Sequence, residues 1–210
     1  MNHDQHVSDS SGETSLNLLA GARSQDARAW QRLAQLYEPL IQQWCRVSQL
    51  PAADIPDVTQ DVLAAVWKSL GEFRKTKPGD SFRGWLKTIT RNKIRDHFRK
   101  RRTQGIGGST AHLQFQELAD VLPDDDSSTS FYEEREVFLR ALELIRGEFE
   151  TRTWNAFWLT VVEGQSAVDA ARELSVSSGA IRQSKYRVLR RLRSELGELV
   201  PDSVPGIQDV

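Results

Sequence analysis

The chain of 210 residues carries a single cysteine, Cys45, which excludes an intramolecular disulfide and any multi-cysteine zinc site. Cys45 sits among Ile41, Trp44 and Val47, the setting of a small buried hydrophobe rather than of a reactive thiol. Histidine is equally sparse, at positions 3, 6, 97 and 112, too scattered to pair for catalysis; His97, in DHFRKR, reads as a surface or DNA-facing residue. There is no glycine-rich phosphate loop and no nucleophile motif. Asp54, Asp57, Asp61 and Asp96 are spaced as helix caps and exposed helix positions, not as a metal site. No apolar run approaches the roughly 20 residues needed to cross a bilayer. The opening MNHDQHVSDSSGET lacks the basic region and apolar core of a signal peptide. These absences predict a cytoplasmic chain that is not an enzyme and uses no cofactor or metal.

What is present is charge, unevenly placed. The formal net charge of −1 hides a strong polarity. Residues 82–102 and 182–193 hold 15 of the 28 Lys and Arg with a single acid, Asp96, leaving 13 basic residues against 28 acidic ones elsewhere. Two basic helices in an otherwise acidic chain point to polyanion contact, because each cation that neutralises a phosphate releases a condensed counterion.

Along the chain, residues 1–13 are a polar leader. Helical periodicity begins near Ser15, pauses at Gly21, and resumes from Ser24, a candidate N-cap, with Trp30, Leu33, Tyr37, Leu40, Ile41 and Trp44 on one face. Pro39 inside that pattern predicts a kink or break. The next helix has Asp54 as candidate cap, Pro56 in its first turn, Gly71 at its stop, and Val58, Val62, Leu63, Val66 and Leu70 inward. Asp80 or Ser81 would cap the basic helix that follows. Residues 103–130, rich in Gly, Ser and Asp, read as a flexible linker, with room for a short ordered piece around His112 to Leu118. Beyond it come a helix from about Phe131 to Arg146 ended by Gly147, a helix from Thr151 to Val162, a short one at Ser166–Leu174, a turn at residues 175–177, and a long basic helix at Ser178–Leu196. The expected fold is all-α: two small helical domains, 14–102 and 131–197, joined by that linker, with a loose tail at 198–210.

The short helix, tight turn and long basic helix have helix-turn-helix spacing. Small residues at Ser178, Gly179 and Ala180 permit close approach to a DNA backbone. Arg182, Gln183 and Lys185 are candidates for base edges, and Arg187, Arg190 and Arg191 for phosphates. Two basic elements on either side of a tether suggest a bipartite DNA site.

Three stretches carry a resemblance: DVTQDVLAAVWKSL (57–70), FRGWLKTITRNKIRDHFRKRR (82–102) and EGQSAVDAARELSVSSGAIRQSKYRVLRRLR (163–193). In that order and spacing the chain resembles a bacterial RNA polymerase sigma factor of the extracytoplasmic-function (ECF) group, which has only two helical domains, regions 2 and 4. The resemblance implies that Asp57, Gln60 and Asp61, with Trp67 close by, meet the clamp helices of core RNA polymerase, while region 4 meets its flap. It implies −10 contacts from Phe73, Arg74, Lys75, Arg91, Asn92, Arg95, Arg99, Lys100, Arg101 and Arg102. Asn92, Asp96 and Arg99 match the family's N-x-x-x-D-x-x-R pattern, Asn92 as a base contact and Asp96 as an orienter of Arg95, Arg99 or Lys100. The loop at 71–81 falls where the family captures a flipped base. Ser178, Arg182, Gln183, Lys185, Arg187, Arg190 and Arg191 would face the −35 element. Ser184 and Lys185 depart from the Arg and apolar residue common there, so the preferred sequence would differ. An anti-sigma factor between the two domains is compatible with the linker; no membrane contact is implied. Residues 124–126, DDD, are hypothesised to mimic nucleic acid along the polymerase channel; unchanged transcription after their charge reversal would remove that idea. The rival expectation is a two-domain helix-turn-helix regulator that works without being a polymerase subunit and binds a palindrome as a dimer.

Overall fold

The computed structural model describes residues 16–74, 80–103 and 127–196. The described residues are all-α: α1 (Leu16–Arg23), α2 (Ala27–Val47), α3 (Ile55–Ser69), α4 (Phe82–Thr103), α5 (Ser127–Arg146), α6 (Thr151–Phe157), a single π-helical turn (Trp158–Val162), α7 (Ala167–Glu173) and α8 (Ser178–Leu196). They form two compact units. One comprises Leu19–Val137; the other takes Phe138 onward together with the residues up to Leu18. Most of the expected linker, including His112 to Leu118 and DDD, lies outside the described residues, as do 1–13 and 198–210.

In the first unit α2, α3 and α4 pack on one another. The α2 stripe, Leu33, Leu36, Tyr37, Leu40, Ile41, Trp44 and Cys45, is buried against Val58, Val62 and Val66 of α3 and Phe82, Leu86 and Ile94 of α4. The helix runs through Pro39 without the expected break; buried neighbours on both sides hold its two halves on one core. Its N-cap is Asp26 rather than Ser24: the Asp26 carboxylate accepts the N–H groups of Arg28 and Ala29, and Gln25 turns the chain at φ 62°. Gly21 does not interrupt α1. It allows close approach of α1 to α2, since a Cβ there would lie 2.9 Å from the Ala29 Cβ. Ser81 caps α4, its Oγ accepting the Gly84 N–H at 3.0 Å.

In the second unit α6 and α7 pack on α8. Ala156, Leu159, Ala170, Ala171 and Ile181 form a small-residue cluster with Ala167, Leu174 and Val176 against it, which lets the two helices of the turn approach closely. Ser166 caps α7: its Oγ accepts the Asp169 N–H and donates to the Asp169 carboxylate at 2.6 Å. Ser175 turns the chain at φ 52°, and Ser177 Oγ accepts the Ala180 N–H to start α8. The helix expected over Thr151–Val162 loosens into the π turn at Trp158, where Thr160 Oγ donates to the Ala156 carbonyl.

Candidate functional site

On α3, Asp57, Gln60 and Asp61 are exposed along one face, opposite the valines that fill the core. Trp67 stands at the edge of that face, 39% exposed, its ring edge-on to Trp30 with centroids 4.9 Å apart. The arrangement is a polar row flanked by a braced aromatic, suited to docking a partner with complementary charge.

On α4, Asn92, Asp96 and Arg99 share a face with Arg95, as the spacing of three and four predicts. Asn92, Arg95, Arg99 and Lys100 are exposed, and Arg91 and Lys93 flank them half-buried. Asp96 accepts from Arg99 Nη2 at 2.7 Å, the orienting role expected of it. The opposite face also carries charge. Arg83, Lys87, His97 and Arg101 recur there with buried Thr90 and Ile94, at alternating spacings of four and three.

The expectations for Arg101 and His97 are therefore corrected, while Asp54 stands at the cap position expected of it. Arg101 is turned to Asp54, Nη1 to Oδ2 2.5 Å, and not to the DNA-facing side. His97 joins it on the same oxygen at 3.2 Å, so it is neither DNA-facing nor plainly a surface residue. Asp54 occupies the N-cap position of α3 but makes no capping bond, because its carboxylate is taken by these α4 groups. Phe73 is buried too. Its ring packs with Phe82 and Trp85 at 5.7 and 5.2 Å, and Arg23 lies over it at 5.7 Å while donating to its carbonyl at 2.7 Å. A ring so enclosed offers no stacking face. Arg74 is exposed and donates to the Gly71 and Phe73 carbonyls, holding the start of the loop. Lys75 and the Arg102 side chain lie outside the described residues.

On α8, Arg182, Gln183, Arg187 and Arg190 share one exposed face, with Lys185 and Ser178 half-buried at its margin. Arg191 belongs elsewhere. Its guanidinium bonds both Glu148 oxygens at 2.6 and 2.9 Å and pairs with Glu195, so it ties α8 to the α5–α6 connection instead of reaching outward. Burial disfavours its charge, but the bonds to Glu148 and Glu195 outweigh this and raise its pKa above the ordinary arginine value. Tyr186, 59% exposed in the middle of the basic face, was not singled out by the sequence; its apolar neighbours on the helix lie on other faces, a signal that periodicity does contain.

The described parts thus define an all-α protein with an exposed polar row on α3 and two separate basic helix faces, one in each unit. Comparison with known proteins agrees with this class. The sigma-70 region 2 family model matches residues 33–104. The RNA polymerase sigma factor CnrH of Cupriavidus metallidurans is 31% identical over 188 residues, covering 87% of this chain and 92% of CnrH. The ECF RNA polymerase sigma factor BldN of Streptomyces coelicolor is 24% identical over 95% of this chain and 71% of BldN. The RNA polymerase sigma factor NccH of Alcaligenes xylosoxydans xylosoxydans is 26% identical over 81% of this chain and 88% of NccH. A solved structure of CnrH in complex with the cytosolic domain of CnrY matches with 26% identity and a TM-score of 0.35, covering 84% of this chain and 93% of that one. The chain belongs to the sigma-70 family of RNA polymerase sigma factors, in its extracytoplasmic-function group.

Proposed function

We propose that the protein binds core RNA polymerase, recognises promoter DNA at −35 and −10 elements, and promotes strand opening at the start site, acting in the cytoplasm without chemistry of its own. The observation that carries this is the pairing within one unit: the exposed row of Asp57, Gln60 and Asp61 on α3 and the exposed row of Asn92, Arg95 and Arg99 on α4 stand on helices packed on the same core. A rigid link of that kind holds a −10 contact in register with the polymerase surface. Asp57, Gln60, Asp61 and Trp67 are assigned to the polymerase clamp, and a flap contact falls to the second unit. Asn92 is assigned to an unpaired base, with Arg91, Arg95, Arg99 and Lys100 on phosphates. Arg182, Gln183 and Lys185 would read −35 base edges, with Arg187 and Arg190 on phosphates and Ser178 close to the backbone. An anti-sigma factor is a further partner to expect, since CnrH, a relative by sequence, has been solved with the cytosolic domain of CnrY.

The test is run-off transcription with purified core RNA polymerase over a genomic fragment library, with and without this protein. Protein-dependent starts sharing upstream motifs near −35 and −10 are expected. Asp57→Lys with Asp61→Lys should weaken the complex with core at least ~10-fold, since reversed charge at a docking rim costs more than its loss. No complex with core, together with a dimer on duplex DNA, would replace this reading with the free-standing regulator.

A further inference from the structure

The nine basic residues of α4 do not all serve one surface. Arg83 Nη1 and Lys87 Nζ lie 3.1 and 3.0 Å from the carboxylate of Glu133, and Trp44 Nε1 donates to it at 2.8 Å, all within the first unit. Arg99 bonds Asp96 on its own helix, yet its side chain is 70% exposed and stays on the outward face. Arg101 is different. Its side chain is 37% exposed and crosses to α3, where Nη1 bonds Asp54 Oδ2. His97, one turn earlier on α4, lies 3.2 Å from the same oxygen.

The Asp54 carboxylate has no local reason to point this way. At the N-cap position of α3 it would ordinarily accept an N–H of the first turn, and it makes no such bond. It sits instead between a guanidinium and an imidazole, at the positive end of the α3 dipole. Those groups are the ones that gather round a phosphate oxygen.

We infer that Asp54 is a specificity residue that works by subtraction: its carboxylate takes the place of a phosphate at Arg101 and His97, and so withholds these α4 groups from indiscriminate contact with nucleic acid. The physical reason is competition for one charge. Paired with Asp54, Arg101 brings no net charge to a phosphate. To reach one it must leave the carboxylate uncompensated, which offsets the counterion released from the DNA. Lys100 is exposed beside it, so one more phosphate contact at this end of α4 would strengthen binding to every sequence alike. Subtracting that contact while leaving Asn92 outward raises the ratio of specific to non-specific binding. The inference rests on the nucleic-acid contact proposed for α4 and needs no polymerase.

A double-substitution cycle on the full chain tests it, read by fluorescence anisotropy with a labelled single-stranded oligonucleotide of mixed sequence at several salt concentrations. Asp54→Asn removes the charge and keeps an oxygen that can cap α3. It should steepen the slope of log affinity against log salt by about 0.7, the share of one phosphate on a single strand, or about 2.5-fold more affinity gained between 200 and 50 mM salt. Arg101→Gln should leave the wild-type slope unchanged and cancel the steepening in the Asp54→Asn chain. Asp54→Glu, which restores the carboxylate on a longer arm, should return the slope toward that of the wild type. Equal effects of Arg101→Gln in the two backgrounds overturn the inference, because the mere loss of one negative charge would act without regard to Arg101. A wild-type slope lowered by about 0.7 in Arg101→Gln alone overturns it with Asp54 and the start of α3 intact. An oligonucleotide that no version of the chain binds would remove the nucleic-acid reading of α4, and this inference with it; binding that ignores Asp54 would sink the inference alone.

Discussion

Burial pushes the Cys45 thiol up to about 11 from an ordinary 9.0, with Arg46 opposing only in part. The folded state therefore holds this proton more tightly than the unfolded chain does. The associated stability is present in full below pH 9 and is lost as pH rises through about 11. At pH 8 the native thiol should react with a disulfide reagent at least ~100-fold more slowly than a free cysteine, and at full rate once unfolded. Rapid native labelling would contradict the burial. Arg101, Arg191 and Asp54 teach a complementary lesson at the same scale. Each has a side chain whose type and helix position suited one role, outward cation or cap, and each is taken by a partner more than 40 positions away in sequence. No local pattern names such a partner.

At the scale of the element, α7 depends on its Ser166 cap. Hydrogen bonds from Ser166 and then Arg172 hold the Asp169 carboxyl below the ordinary carboxylate value. Its contribution is thus present above that ordinary value, near pH 4, and lost as pH falls through the depressed one. Ser166→Ala should destabilise the second unit by about 1 kcal/mol, read as a lower melting midpoint at neutral pH, with the difference shrinking in acid. An equal midpoint at neutral pH would mean that packing against α8 alone holds α7. The α4 helix shows how far periodicity reaches. Spacing alone put Asn92, Asp96 and Arg99 on one face, and the same spacing put Arg83 and Lys87 on the face with Ile94. Two cations at inward positions demand a carboxylate, but which one the helix cannot say.

For the whole molecule, basic faces in two units predict additive electrostatics. On duplex DNA bearing both elements, Arg182→Ala and Arg187→Ala should each reduce the slope of log affinity against log salt by about 0.9, and Arg95→Ala and Arg99→Ala by about 0.7 each where the strand is single. Combining substitutions from different units should sum these changes, since the sites share no partner. Arg191→Ala should leave the slope unchanged while lowering stability, because its charge is already met by Glu148 and Glu195.

The sequence by itself determined the all-α class, most helix bounds and the buried stripes of α2 and α3, because each rests on residue type repeated at a local period; the family was suggested by the resemblance of three ordered motifs. Only the tertiary structure decided which cations remain outward, that Phe73 is enclosed, that α2 passes through Pro39, and that Glu133 belongs with the first unit. Those outcomes are set by pairing of charges and rings across long separations in sequence, where geometry in three dimensions, and not periodicity, selects the partner.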